Sequence, residues 1–196
     1  MTTDNPVSVL TAQQRYEQEA MKSDKDHHLP TAGAMTGHII ANLFLDMLKI
    51  RQARWFATGS TRLFLEIHSR EWITYEATMI ESLDDALSSD NEMIPTTTAQ
   101  LSEYGALEEN PARKYEDGAA QLADLIHDFD WQLIYVGKAI TLAAAEGKTS
   151  LGSTLSDLRA WAKHQIREAQ LFLGNDATDG LYKEVDDDED DNDNGR

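Results

Sequence analysis

Four long stretches of this chain carry apolar residues at alternating three- and four-residue steps, and this spacing constrains the fold more than any other feature. The stretches cover about residues 31–57, 61–87, 112–146 and 149–173. In the third stretch, Leu122, Ile126 and Phe129 follow one another at steps of four and three. Because an α-helix has about 3.6 residues per turn, this spacing places the apolar side chains on one face. The sequence therefore predicts four long amphipathic helices and very little β-structure.

The segments between these helices indicate how the helices are connected. Gly59, Gly147 and Gly174 stand at the ends of three of the stretches, where glycine commonly terminates a helix. The connector at 95–107 is long enough to cross the bundle, and a short helix is predicted within it at about 99–104. An up-down bundle with one crossover is the ferritin-like arrangement, although other four-helix bundles fit the same pattern. We therefore predict an all-α, ferritin-like four-helix bundle.

Two further segments flank the predicted bundle domain, which covers residues 31–174. Residues 1–30 form an N-terminal extension with a short helix that begins after Thr11 and ends before Pro30. Residues 175–196 finish in the acidic run 186–191. A segment with so few apolar residues and so high a charge cannot bury a core, so we predict a disordered acidic tail.

The charge balance limits the classes of partner. The chain has 17 Lys and Arg residues against 35 Asp and Glu residues, a formal net charge of -18. This disfavours sequence-independent DNA binding, which needs cationic groups, and it favours cations, for which carboxylates are hard oxygen ligands. The chain has no cysteine, so disulfides and thiolate-bound metals are excluded. With no signal-peptide pattern and no long apolar run, we expect a cytoplasmic protein without a membrane partner.

A series of short motifs in the predicted bundle resembles those of one family. The matching positions are, in chain order, His38, Asn42, Leu43, Arg54, Trp55, Gly59, Ile67, His68, Tyr75, Pro95, 101–104, Tyr135, Glu146, Gly147 and 172–174. Their order and spacing resemble those of the Dps-type mini-ferritins over nearly all of residues 31–174. The chain looks like a divergent member of that family.

The resemblance implies a hollow, cytoplasmic homododecamer built from twelve four-helix bundles. In such a shell Fe²⁺ is oxidised by H₂O₂ or O₂ and stored as a ferric mineral, so the protein would be a ferroxidase of the stress response that protects DNA. The implied cofactor is iron, with another divalent metal as the alternative. A Dps-like shell without ferroxidase activity, which has a structural or DNA-binding role, is the alternative function.

The resemblance also implies an iron site at a two-fold subunit interface. Its candidate ligands are His68 and Glu71 from one subunit and Asp84 from the other. Arg54 stands at the position of the family's first histidine, and a guanidinium has no lone pair with which to bind iron. We therefore expect this site to be missing or weak, with Arg54 paired to Asp84 or Asp85. His68 is then either a ligand or an interface histidine that is hydrogen-bonded to a carboxylate.

A second candidate site lies on the third long helix. Asp124, His127 and Asp128 are spaced so that they share one helix face, and acid-x-x-His is a spacing with which bundle helices present two metal ligands. Because the apolar stripe of this helix runs beside them, the favoured interpretation is a solvated polar face.

The N-terminal extension carries the remaining candidates. His27 and His28 follow an aspartate and could bind a transition metal, or they could complement the negative end of the short helix. Arg15, Lys22 and Lys25 are the candidates for DNA contact. Acidic neighbours cancel their charge, so DNA binding rests on the resemblance and on the many copies that a shell would present.

Overall fold

The computed structural model describes residues 10–28 and 30–182, with the backbone alone described at 22–28. The elements are α1 (Ala12–His28), α2 (Ala32–Phe56), α3 (Gly59–Ser89), α4 (Thr98–Tyr104), a 3₁₀ helix (Pro111–Tyr115), α5 (Gly118–Ala145) and α6 (Thr149–Leu173). No strand occurs in these residues. The predicted all-α bundle of four long helices, with a short helix in the crossover connector, is confirmed. No helix in the described part of the chain is long and apolar enough to span a membrane.

Two helix boundaries differ from the prediction for local reasons. Gly59, at φ 64°, opens α3 instead of closing α2, which ends at Phe56. The third long helix begins at Gly118 rather than near residue 112, because the Asp117 side chain accepts a hydrogen bond from the amide of Ala120 and so caps a new helix. By contrast, α6 ends as predicted at Gly174, whose φ of 80° is left-handed.

Helices α2, α3, α5 and α6 bury two apolar clusters, one toward each end of the bundle. The first contains Ile39, Leu43, Met47, Ile80, Leu83, Val136, Leu155 and Leu158. The second contains Ile50, Leu65, Trp72, Leu122, Leu125, Phe129 and Ile166. On α3, Glu76 lies between Trp72 of one cluster and Ile80 of the other, and Gln132 has the corresponding place on α5. The apolar core is therefore interrupted near its middle by buried polar side chains.

The first part of the predicted acidic tail packs on the bundle. Gln170 Nε2 donates a hydrogen bond to the carbonyl of Asp179 at 2.7 Å. The amide of Tyr182 donates to Asp130 Oδ2 at 2.7 Å, and the Tyr182 ring lies 5.3 Å from that of Trp131. Residues 175–182 thus differ from the expected disorder, because they make specific polar and aromatic contacts with α5 and α6. Residues 183–196 lie outside the described residues.

Candidate functional site

The middle of the bundle holds a cluster of charged side chains that is largely shielded from solvent. Its members are Asp46 and Lys49 from α2, Glu76 from α3, and Asp124 and Asp128 from α5. Asp46 and Glu76 are 0% exposed, Asp128 is 7% exposed and Lys49 is 9% exposed. Residues three or four apart on a helix share a face, so the spacings 46/49 and 124/128 direct both pairs to the same interior. Such residues are almost never fully buried unless they are paired.

Lys49 joins the outer part of this carboxylate cluster. Its Nζ lies 2.6 Å from Asp128 Oδ2 and 3.4 Å from Asp124 Oδ2. It also donates a hydrogen bond to the backbone carbonyl of Glu108 at 2.9 Å. Arg113, from the 3₁₀ helix, contacts Asp124 Oδ1 at 2.8 Å and continues the network toward the surface. Two cations therefore close the cluster on the side of the crossover connector.

The inner part of the cluster is a pair of carboxyl groups. None of the four carboxyl oxygens of Asp46 and Glu76 accepts a hydrogen bond from an N–H or hydroxyl group of the described residues. The two groups are instead hydrogen-bonded to each other, which requires that one of them carries a proton. Burial raises the pKa of Glu76 well above its ordinary value, and the neighbouring Asp46 charge raises it further. The shared proton is therefore assigned to Glu76.

Burial also raises the pKa of the two aspartates that flank Lys49 in the cluster. The pKa of Asp46 rises to about 6, although the hydrogen bond from Glu76 lowers it somewhat. The pKa of Asp128 rises to about 8, because burial and the Asp46 charge outweigh the attraction of Lys49. Near neutral pH the cluster thus holds protons and an ammonium group, both of which a divalent cation would have to replace.

The cluster is not arranged around a metal ion in this conformation. Among the side chains that the structure describes, at 10–21 and 30–182, no three from His, Cys, Asp or Glu converge closely enough to hold one. The carboxylates of Asp124 and Asp128 are drawn to Lys49 instead. The arrangement can therefore supply several oxygen ligands from three helices, but Lys49 occupies the position between the carboxylates of α5.

The predicted interfacial ligands lie elsewhere, along α3. His68 is half-buried and stacks on Phe64, with ring centroids 4.2 Å apart. Glu71 is exposed, whereas Asp84 is half-buried, and burial together with the Glu81 charge raises its pKa. Sixteen residues of helix separate His68 from Asp84, a distance of about 24 Å, so one subunit alone cannot bring them together. Their proposed meeting across a two-fold axis stays a prediction.

Arg54 has a partner within its own chain. Its guanidinium lies 3.5 Å from Glu66 Oε2 and stacks over the ring of Trp55 at 5.5 Å. The expected pairing with Asp84 or Asp85 would have to come from a second subunit. Arg54 therefore links α2 to α3 at the corner between these helices.

The second candidate site was interpreted wrongly from the sequence. His127 is exposed, but Asp128 is buried and Asp124 is half-buried, and both aspartates face Lys49. One residue step turns a helix by about 100°, which separates His127 from its neighbour Asp128. The signal that was missed is the charge of Asp46 and of Glu76 within the apolar stripes of α2 and α3.

The candidates in the N-terminal extension are described in part. Arg15 is exposed on α1, which begins after Thr11 and ends before Pro30, as predicted. The side chains of Lys22, Lys25, His27 and His28 lie outside the described residues.

The crossover topology and the charged centre of the bundle define a ferritin-like four-helix protein. Among solved structures, DpsB of Lactococcus lactis is 32% identical, with a TM-score of 0.80, and the match covers 85% of this chain and 96% of that one. DpsA of Lactococcus lactis is 30% identical, with a TM-score of 0.81 and coverages of 86% and 99%. These likenesses show that the chain belongs to the Dps family.

More distant structures share the fold. Dps from Listeria monocytogenes is 20% identical, with a TM-score of 0.72, over 75% of this chain and 96% of that one. No protein-family model matches the sequence, and no curated protein matches it either.

Proposed function

We propose that the chain assembles as a cytoplasmic, homododecameric Dps-type shell that takes up Fe²⁺, oxidises it and thereby limits oxidative damage to the cell and its DNA. We further propose that iron is bound by the buried carboxylate cluster inside each bundle. The observation that carries this proposal is the pair of fully buried carboxyls, Asp46 and Glu76, whose oxygens have no donor other than each other.

The chemistry of the cluster suits this substrate. Hard divalent cations prefer carboxylate oxygens, and bundle cores present such ligands from several facing helices. Burying acidic groups without a firm counter-charge costs stability, so a purely structural role would be better served by apolar side chains. When the oxidant is peroxide, each H₂O₂ takes one electron from each of two Fe²⁺ ions and two protons, and yields two waters.

The interfacial site is the less favoured location for iron. Arg54 places a permanent cation where the family pattern has a histidine, and it offers no lone pair. His68 stacks on Phe64, and its ring lies 6.1 Å from that of Trp72, so it has the environment of a packing residue. His68, Glu71 and Asp84 therefore form the alternative metal site, which the experiment below compares with the cluster.

An exposed apolar surface supports assembly of the shell. Three large apolar side chains on the helices that meet at the α2–α3 corner are exposed: Trp55 of α2 at 71%, and Leu63 and Ile67 of α3 at 68% and 72%. Large apolar side chains grouped on a surface typically mark an interface. We propose that a second subunit covers them.

The experiment compares iron oxidation by three forms of the protein. Fe²⁺ is added anaerobically to the wild type, to an Asp46→Asn/Glu76→Gln variant and to a His68→Ala/Asp84→Asn variant, and peroxide is then injected. We expect fast ferric-core formation in the wild type and in the second variant, and a rate near the protein-free control in the first. The reverse pattern would place the iron site at the interface.

A rate no faster than the protein-free control in all three forms would favour the non-ferroxidase shell. A gel shift at low and moderate salt then tests its DNA-binding form, in which Arg15, Lys22 and Lys25 would make the contacts. The net charge of -18 disfavours that outcome.

A further inference from the structure

Lys49 stands where a cation would be bound in the carboxylate cluster. We propose that its ammonium group is a built-in counter-ion that a divalent cation displaces on entry, so that Lys49 determines which ions the cluster accepts and how tightly. This inference rests on the proposed role of the cluster as the iron site. It adds a specificity-determining residue that is not itself a metal ligand.

The first support is the position of the ammonium group. Its Nζ contacts both aspartates of α5, at 2.6 Å to Asp128 and 3.4 Å to Asp124, and it also reaches the Glu108 carbonyl. A transition-metal ion such as Zn²⁺ binds carboxylate oxygens at about 2.0–2.2 Å, which is shorter than both contacts, so the two aspartates would move inward on an ion at this place. An ion at that place would meet the two outer carboxylates directly.

The second support is the asymmetry of the cluster. Lys49 provides a donor for Asp128, whereas the deeper oxygens of Asp46 and Glu76 have no N–H or hydroxyl donor among the described residues. The lysine carries one positive charge, and three aspartates, Asp46, Asp124 and Asp128, compete for it. A doubly charged ion would neutralise more of the negative charge of the cluster than the ammonium group does.

The third support is a route by which Lys49 can leave. The side chains of Asp124 and Arg113 are 14% and 31% exposed, so the ammonium group lies one layer below the surface. Lysine has a flexible four-carbon stem and a strongly hydrated head, which favours exchange with solvent. Glu108, whose backbone carbonyl Lys49 already contacts, has an exposed carboxylate that offers a new partner.

The displacement model predicts a selectivity. A monovalent ion carries the same charge as the ammonium group that it must replace, so the exchange gives no gain in electrostatic attraction. Mg²⁺ gives up its water ligands reluctantly, so it also fails to enter. A transition-metal ion such as Co²⁺ binds oxygen ligands more strongly and does not take part in the redox reaction, which makes it a suitable probe.

The first test is calorimetric titration of the full chain with CoCl₂. Lys49→Met keeps the length of the side chain and removes its charge, and Lys163→Met on the exposed face of α6 is the matched control. We expect at least a tenfold tighter Co²⁺ affinity in Lys49→Met and no change in Lys163→Met. An unchanged or weaker affinity in a folded Lys49→Met protein overturns the proposal.

The second test uses the wild type and does not depend on how a variant folds. The rate of acylation of each lysine by a succinimidyl ester is measured by mass spectrometry with and without Co²⁺. We expect Co²⁺ to accelerate labelling of Lys49 several-fold and to leave Lys163 unchanged. Equal rates for Lys49 in both conditions overturn the proposal.

The same titration separates this inference from the proposed function. If Asp46→Asn/Glu76→Gln abolishes Co²⁺ binding but both Lys49 tests are negative, the cluster remains the metal site and the role of Lys49 is refuted. If the double variant binds Co²⁺ as the wild type does, both proposals are refuted.

Discussion

Neutralising the inner carboxyl pair should change how the stability of this protein depends on pH. Burial raises the pKa of Asp46 from its ordinary value of 3.8 to about 6. Below pH 3.8 the carboxyl is neutral in both the folded and the unfolded chain, and its burial then carries no charge penalty. Between pH 3.8 and pH 6 the unfolded chain releases this proton while the folded chain keeps it, so stability falls across this range, and above pH 6 the loss is complete. A tenfold change in an acid constant is worth about 1.4 kcal/mol, which gives a loss of about 3 kcal/mol from Asp46.

Asp128 extends this loss of stability to higher pH, because its raised pKa lies at about 8. The free energy of unfolding of the wild type should therefore decrease between pH 5 and pH 8. In Asp46→Asn/Glu76→Gln the inner pair no longer ionises, and the missing Asp46 charge lowers the pKa of Asp128. We expect a flatter pH dependence and, at pH 8, a gain in stability of about 3 kcal/mol.

The assay is urea unfolding followed by tryptophan fluorescence at pH 4, 5, 6, 7 and 8. All samples have the same protein concentration, because assembly makes apparent stability concentration-dependent. Asp85→Asn, on the exposed face of α3, is the control and should keep the wild-type pH dependence. If the double variant loses stability with pH as steeply as the wild type, the inner pair does not hold the buried proton and the argument is refuted.

Two further changes test the packing and the assembly. Trp72 is fully buried and its Nε1 donates to Gln165 Oε1 at 2.8 Å, so Trp72→Phe should cost about 2–4 kcal/mol through a cavity and an unpaired amide, measured as a lower melting temperature. A melting temperature within a degree of the wild type would contradict this. Ile67→Glu places a charge on a side chain that is 72% exposed in the single subunit. If a second subunit covers this surface, sedimentation should show particles smaller than a dodecamer, while the helical circular dichroism spectrum stays unchanged. Wild-type particles would show that this surface is not buried on assembly.

The sequence was a good guide to the helices because their apolar spacing and their end signals are local. The four long helices and the short helix α4 lie within a few residues of their predicted positions. The main boundary error is at the start of α5. The sequence pattern did not distinguish the 3₁₀ helix from the first turn of α5, so it did not show that Asp117 caps a new helix. Gly174 was predicted correctly because a left-handed helix end strongly favours glycine.

The sequence was a poor guide to the candidate site, for a different reason. Asp46, Glu76 and Asp128 are separated by 30 and 52 residues, and the charges of Asp46 and Glu76 within apolar stripes do not show that the three side chains meet. Whether an acidic residue beside an apolar stripe faces solvent or the core depends on the rotation of its helix. That rotation is determined by packing against three other helices and not by the local pattern.

By itself, then, the sequence determined the all-α class, the number and length of the helices, and the family likeness, because helix periodicity and glycine end signals act over a few residues. The tertiary structure alone decided that three aspartates meet around Lys49, that Glu76 pairs with one of them, and that residues 175–182 pack on the bundle. Contacts between residues far apart in the chain depend on how the helices pack. Burial raises the pKa values of these carboxyl groups because it removes their water. This effect exists only after the helices have packed and excluded solvent.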